Sequence, residues 1–239
     1  MIRTLDDLDC EGVAVGVRID INSPLSETGL ADDARLRAHV ETLSELLERG
    51  ARVAILAHQG RPGDDDFSTL TAHADRLDEL LSFSVDYCDA TFSAAARERV
   101  AELEDGEAVL LENTRFYAEE YMEFDPERAA DTHLVEGLVP ALDVYVNDAF
   151  AAAPRSQPSL VGFPQRLPGY AGRVMERELP ASTPRSTWSS TPNARPTPIS
   201  SRGSCPRSTS TSTTPSPPPT AHSPRSSAFH SDYRATPAG

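Results

Sequence analysis

The stretch "VAILAHQGRPG", residues 53–63, begins as an apolar run and ends in a histidine, a glycine, an arginine and a proline. Its opening residues do not alternate apolar with polar, so a strand built from them has no solvent face. That is the pattern of a strand buried on both sides of a parallel sheet. Taken back to "ARVAILAH" (51–58), it has four counterparts: "VAVGVRIDI" (13–21), "FSVDYC" (83–88), "EAVLLEN" (107–113) and "LDVYVND" (142–148). Each turns polar or charged at its carboxyl end.

Helical patterns lie between these runs. "DDARLRAHVETLSELLERG" places Leu36, Val40, Leu43 and Leu47 on one stripe and stops at Gly50. "STLTAHADRLDELL" and "SAAARERVAELEDG" behave alike, and "DPERAADTHLVEGL" opens with Asp125 as N-cap and Pro126 at the first helical position. Strand and helix in alternation imply right-handed crossovers and a doubly wound α/β fold, a Rossmann-like parallel sheet flanked by helices.

Charge divides the chain in two. Residues 1–178 hold 16 Arg against 36 Asp plus Glu, a net of −20, whereas residues 179–239 hold 6 Arg against 1 Asp, a net of +5. All 22 basic residues are arginine. An acid-rich, lysine-free surface stays soluble where salt screens its self-repulsion, so a halophilic protein of a high-salt cytoplasm is expected. A pI near 4.7 gives no indication of nucleic-acid binding. Cys10, Cys88 and Cys205 form no C-x-x-C pair, which leaves neither a disulfide framework nor a zinc site in view. The start "MIRTLDDLDCEG" has no apolar core of a signal peptide, and no apolar run reaches membrane-spanning length. A cytoplasmic monomer without membrane contact is the expectation.

From residue 179 the composition changes to 12 Pro and 25 Ser plus Thr in 61 residues. Such a segment buries too little surface to offset its ordering entropy, and disorder is expected. Two origins are compatible with it: a low-complexity interaction tail, or a frameshifted reading of GC-rich DNA, which yields Pro, Arg, Ser, Thr and Ala.

In open parallel sheets, ligands bind outside the carboxyl ends of the strands. Asp20, Asn22 and Pro24 follow the first run, His58, Gly60 and Arg61 the second, Arg115 follows "AVLLEN", and Asp148 and then Arg155 follow "DVYVN". Arg35 stands in the first turn of the first long helix. Guanidinium forks suit phosphate and carboxylate oxygens, so several converging on one place would bind a multiply charged anion. Each residue also has a plainer reading: an arginine as a surface ion-pair partner, His58 as a structural histidine, Asp20 as a helix cap. Their shared position is what argues for a ligand. "GDDDF" (63–67) reads as a solvated acidic loop rather than a metal site, and His39, His73 and His133 lack metal-ligand spacing.

These segments also carry a resemblance. "VRIDINSPL", "DDARLRAHVETL", "LAHQGRPG", "LLENTRFY" and "VYVNDAFAAAPRSQPSLVGFP" are similar, in order, to the signature segments of the N-terminal domain of the phosphoglycerate kinase family. The likeness covers residues 1–178, with "LPGYAGRVMEREL" similar to the segment leading into the family's interdomain helix. It implies reversible phosphoryl transfer between 1,3-bisphosphoglycerate and ADP. It makes Asp20, Asn22, Arg35, His58, Arg61, Arg115 and Arg155 binding residues for 3-phosphoglycerate or 1,3-bisphosphoglycerate. Arg35 is also implied as the catalytic arginine that stabilises the transferring group. Mg-ADP or Mg-ATP would be the co-substrate, with no site for it in this chain: there is no G-x-G-x-x-G, and lysine, which a Walker A loop needs, is absent. The chain is therefore expected to be inactive alone. One departure falls at Pro154, where the family usually has histidine, next to Arg155. The rival reading is a non-catalytic organic-phosphate-binding α/β domain with a partner-binding tail; a receiver-type signalling domain is disfavoured because its usual lysine cannot exist here.

Overall fold

The structure, a computed structural model, describes residues 2–26, 29–122 and 125–179. The chain divides into Met1–Ala194 and Arg195–Gly239, and every described residue belongs to the first unit. The disorder expected of the Pro/Ser/Thr-rich segment therefore concerns residues outside the described ones, apart from Leu179.

Six parallel strands form one sheet: β1 (Ala14–Arg18), β4 (Arg52–Leu56), β5 (Val85–Cys88), β6 (Ala108–Leu111), β7 (Val144–Asn147) and β8 (Gly169–Ala171). A small antiparallel ladder, β2 (Leu25–Ser26) with β3 (Gly29–Leu30), lies between β1 and the first helix. The helices are α1 (Ala34–Glu48), α2 (Thr71–Leu80), α3 (Ala94–Ala101), α4 (His133–Leu138), α5 (Pro158–Val161), α6 (Phe163–Arg166) and α7 (Arg173–Glu178). Strand order is β5-β6-β4-β1-β7-β8. From β1 the chain builds outward through β4 and the β5–β6 pair, then returns to add β7 on the opposite side of β1. The direction of winding thus reverses at β1, which opens a crevice at the carboxyl ends of β4, β1 and β7.

The central strands β1, β4, β6 and β7 bury both faces, as their near-continuous apolar runs require, whereas β5 at the sheet edge exposes Asp86. Val53 and Ile55 of β4, with Val15 and Val17 of β1, pack with Leu36, Leu43, Leu46 and Leu47 of α1 and Leu77 of α2. Their neighbours Ala54 and Leu56 turn to the other face, against Val100, Leu134, Leu138 and Phe163. Tyr145 stacks on Phe163 at 5.3 Å between centroids and donates its hydroxyl hydrogen to Ser159 O (2.7 Å). α1 ends at Gly50, whose φ of +77° is the left-handed stop its sequence predicts.

The β2–β3 ladder, α5 and α6 are too short to show a period and were not expected, and two further elements also differ from the sequence expectation. β8 was not expected: its three residues are too few to show a period, and it pairs along its length only with β7. The segment from Asp125 starts as expected, with the Asp125 carboxylate accepting Glu127 N–H (3.0 Å) and Pro126 in first position. It then breaks into a 3₁₀ helix, Pro126–Asp131, and α4. Thr132 explains the break. Its backbone is extended and its hydroxyl donates to Ala129 O (2.9 Å), drawing the chain out of the helix before α4 begins.

Candidate functional site

β1 delivers an unusual residue to the crevice. Arg18, its last residue, is fully buried. It donates from Nε to Ser159 Oγ (3.0 Å), from one terminal nitrogen to Ile19 O, and from the other to His58 Nδ1 (2.7 Å). A guanidinium has no acceptor, so Nδ1 of His58 must accept and the ring proton sits on Nε2. Burial first, then the fields of Arg18, Arg115, Arg155 and Arg35, depress the His58 pKa far below its ordinary value. His58 is therefore a neutral ring that offers a hydrogen-bond donor beside arginines.

The loop after β4 is held to the loop after β1. Gly60 N–H donates to Asn22 Oδ1 (2.8 Å), Ser23 N–H to Gln59 Oε1 (2.9 Å), and Gln59 Nε2 to Ser23 O (2.9 Å). Gly60 has φ +65°, and a Cβ there would lie 2.6 Å from Asp66 O. Only glycine fits this crossing, which puts Arg61 at the rim. After β6, Glu112 accepts Leu70 N–H (3.1 Å), Asn113 N–H (2.6 Å) and the Tyr87 hydroxyl (2.5 Å). Asn113 then donates to Gln59 O and Ser68 O and caps a turn by accepting Arg115 N–H (3.1 Å). Arg115, thus fixed, donates to Gly60 O (2.6 Å). Burial and the charges of Arg155, Arg18 and Arg61 lower its pKa to about 10.

On the far side, Arg155 follows the turn Phe150–Ala152, its N–H bonded to Ala152 O (3.0 Å). Pro154 precedes that N–H without removing it, and Arg155 lines the cleft. Arg35, in the first turn of α1, sits 3.0 Å from Asp20 Oδ2 with its side chain 52% exposed. Asp20, Asn22, Arg35, His58, Arg61, Arg115 and Arg155 all line one cleft of about 320 Å³. Asp64 and Asp66 of the acidic loop also reach its wall. Among the described residues, no group of three or more His, Cys, Asp or Glu is arranged to hold a metal ion.

The electrostatic balance is lopsided. In a domain with more than twice as many carboxylates as arginines, Arg18, Arg61, Arg115 and Arg155 have no carboxylate within 4.0 Å among the described residues. Buried or clustered cations without a counter-charge are costly, and an anion in the cleft would offset that cost.

Sequence reasoning passed over Arg18, although an arginine inside the apolar run "VAVGVRIDI" was a visible signal. It also set aside His39 and His73. Both are buried: His73 donates Nε2–H to Gln59 Oε1 (3.1 Å), and His39 meets Asp148 (2.7 Å). Burial lowers the His73 pKa from 6.5 to about 4. The unfolded chain therefore binds more protons below pH 6.5, and the stability these two neutral histidines, His58 and His73, contribute is complete above 6.5 and lost as pH falls. His73 alone should cost about 3 kcal/mol between pH 6.5 and 4. Denaturant unfolding at pH 7 and pH 5, in molar salt so that relief of acid repulsion does not mask the effect, should show that decline, and His73→Gln should remove about half of it, leaving the share of His58.

The geometry has close counterparts in known proteins. Residues 5–193 match the family described as Phosphoglycerate kinase. The chain is 73% identical over 179 residues to the phosphoglycerate kinase of Natronomonas pharaonis, an alignment covering 75% of this chain and 45% of that one. It is likewise 73% identical over 181 residues to that of Halobacterium salinarum, covering 75% of this chain and 46% of the relative. The crystal structure of phosphoglycerate kinase from Pyrococcus horikoshii OT3 superposes with a TM-score of 0.72 at 44% identity, covering 74% of this chain and 44% of that one. The chain spans about half the length of the curated relatives it matches. With five signature segments, a six-stranded parallel sheet and an arginine-lined cleft at its carboxyl edge, the chain belongs to the phosphoglycerate kinase family.

Proposed function

We propose that the cleft binds 3-phosphoglycerate, or 1,3-bisphosphoglycerate, and that the chain carries the acid-binding half of a kinase exchanging a phosphoryl group between 1,3-bisphosphoglycerate and ADP. The observation that carries this reading is the set of guanidinium groups with no carboxylate partner among the described residues, Arg61, Arg115 and Arg155, around a neutral His58 and backed by Arg18. A doubly or triply charged small acid matches that set in charge and in its need for several directed donors. Asp20 and Asn22 are the acceptors available for its hydroxyl group. Arg35, half-exposed and held by the Asp20 carboxylate (3.0 Å), is the cation placed to meet charge on a transferring phosphoryl group.

The described residues do not fit a magnesium nucleotide. Four arginines outnumber Asp20, Asp64 and Asp66 in the cleft lining, and no metal-holding cluster of acids occurs among the described residues. We therefore assign no step of the reaction to these residues beyond binding and orienting the acid and presenting Arg35. Residues 1–178 are read as the substrate domain, in a monomeric, cytoplasmic protein; no helix among the described residues is long and apolar enough to cross a membrane.

Calorimetric titration of the 239-residue chain in molar KCl should show one site for 3-phosphoglycerate and no heat from Mg-ADP. Saturable Mg-ADP binding, or kinase turnover by the chain alone, would contradict the assignment of a single substrate half.

A further inference from the structure

Arg35 and His39 are four residues apart on α1 and so share a face of the helix. Both close on the same residue. Arg35 holds the Asp20 carboxylate (3.0 Å), whereas His39 Nε2 lies 3.2 Å from Asp20 N and 3.1 Å from Asp20 O. The other ring nitrogen of His39 is 2.7 Å from Asp148 Oδ2. A carboxylate only accepts, so Nδ1 carries a proton there, and Nε2 faces the Asp20 backbone as the acceptor of its N–H (3.2 Å). Asp148 has no freedom to turn away. It is fully buried, its other oxygen accepts Val174 N–H at the start of α7 (2.9 Å), and a Cβ on Gly172 would stand 2.2 Å from Asp148 Oδ1.

We propose that His39 is a positioning residue for the cleft. Anchored on Asp148, it fixes the backbone of Asp20 just beyond β1, and with it the carboxylate that faces the cleft to accept the ligand's hydroxyl group and that also holds Arg35. His39 does not line the cleft and touches no ligand. Its effect on binding runs through Asp20, where an ordinary core residue would affect only stability. The inference rests on the cleft being the 3-phosphoglycerate site.

Two substitutions separate the two ends of the ring. The amide of His39→Asn lies where Nδ1 was: it can still donate to Asp148 but leaves the Asp20 N–H without its acceptor. The amide of His39→Gln lies where Nε2 was: it can still accept from Asp20 but leaves the Asp148 carboxylate short of a donor. In the full chain in molar KCl, H39N should weaken 3-phosphoglycerate binding about tenfold with a modest loss of thermal midpoint. H39Q should bind within about twofold of the unsubstituted chain yet melt at the lower temperature of the two. Equal losses of affinity in both variants, or undiminished affinity in H39N, would overturn the proposal. If the unsubstituted chain itself fails to bind 3-phosphoglycerate, the reading of the cleft fails, and hydrogen exchange at the Asp20 amide decides the positioning role. Faster exchange in H39N than in H39Q upholds it, and equal exchange ends it.

Discussion

Dialysis of the protein from molar KCl to about 0.1 M salt should unfold it. Residues 1–178 carry a net charge of −20, and their ion pairs are local devices. Arg173 gathers Glu45, Asp6 and Glu176, and Arg76 bridges Asp33 and Glu79, but most of the acid surface has no such partner. The screening length is about 3 Å at 1 M salt and about 10 Å at 0.1 M, so dilution lets carboxylates on neighbouring turns repel one another. Repulsion of that reach acts against a fold whose whole margin is of the order of 10 kcal/mol. The cleft adds to the effect, because its cations lose the salt anions that balance them in concentrated solution. Far-ultraviolet circular dichroism and tryptophan-independent probes such as amide exchange would follow the loss. A cooperative melt unchanged between the two salt conditions would refute it. Relatives at 73% identity from Natronomonas pharaonis and Halobacterium salinarum accord with the expectation.

Removing the Arg35 guanidinium should be the most damaging single change to catalysis. To measure it, residues 1–178 would be joined to the remaining half of the Halobacterium salinarum relative, of which they match 46%. In that two-part enzyme Arg35→Ala should lower kcat by about 10³-fold, the lower range for an arginine aimed at a transferring phosphoryl group, with KM for 3-phosphoglycerate changed less than about fivefold. The split follows from the structure. Among the described residues the half-exposed Arg35 side chain is bonded only to Asp20, so its loss leaves the fold intact, and Arg61, Arg115 and Arg155 remain to hold the acid. Equal effects on kcat/KM and on substrate affinity would show that Arg35 merely binds.

How much of this was legible depended on the physical scale of each feature. Four central strands could be read because burial on both faces leaves a near-continuous apolar run, β5 because its apolar ends still stand out around the exposed Asp86, and α1 because its stripe extends over four turns to Gly50. β8 could not, since three edge residues carry no period. The cleft residues other than Arg35, which stands in the first turn of α1, were readable as positions that follow a strand, because a parallel sheet places all its carboxyl ends together. Their supports were not. Gln59, Asn113 and Glu112 act through backbone partners 36 to 54 residues away in sequence, as in Gln59 to Ser23 and Gln59 to Asn113, and no local pattern marks such a pairing. His39 illustrates the limit: on a helix it reads as an ordinary amphipathic position, and only the fold shows Asp148, 109 residues on, at its ring.

A structure of the chain with 3-phosphoglycerate, grown in chloride salts free of sulfate and phosphate, tests the account most directly. The ligand's anionic oxygens should lie within hydrogen-bond distance of Arg61, Arg115 and Arg155, with His58 Nε2 donating to one of them and Arg18 still bonded to Nδ1. A ligand seated elsewhere, or arginines that turn out to solvent and leave the acid to a single contact, would contradict it.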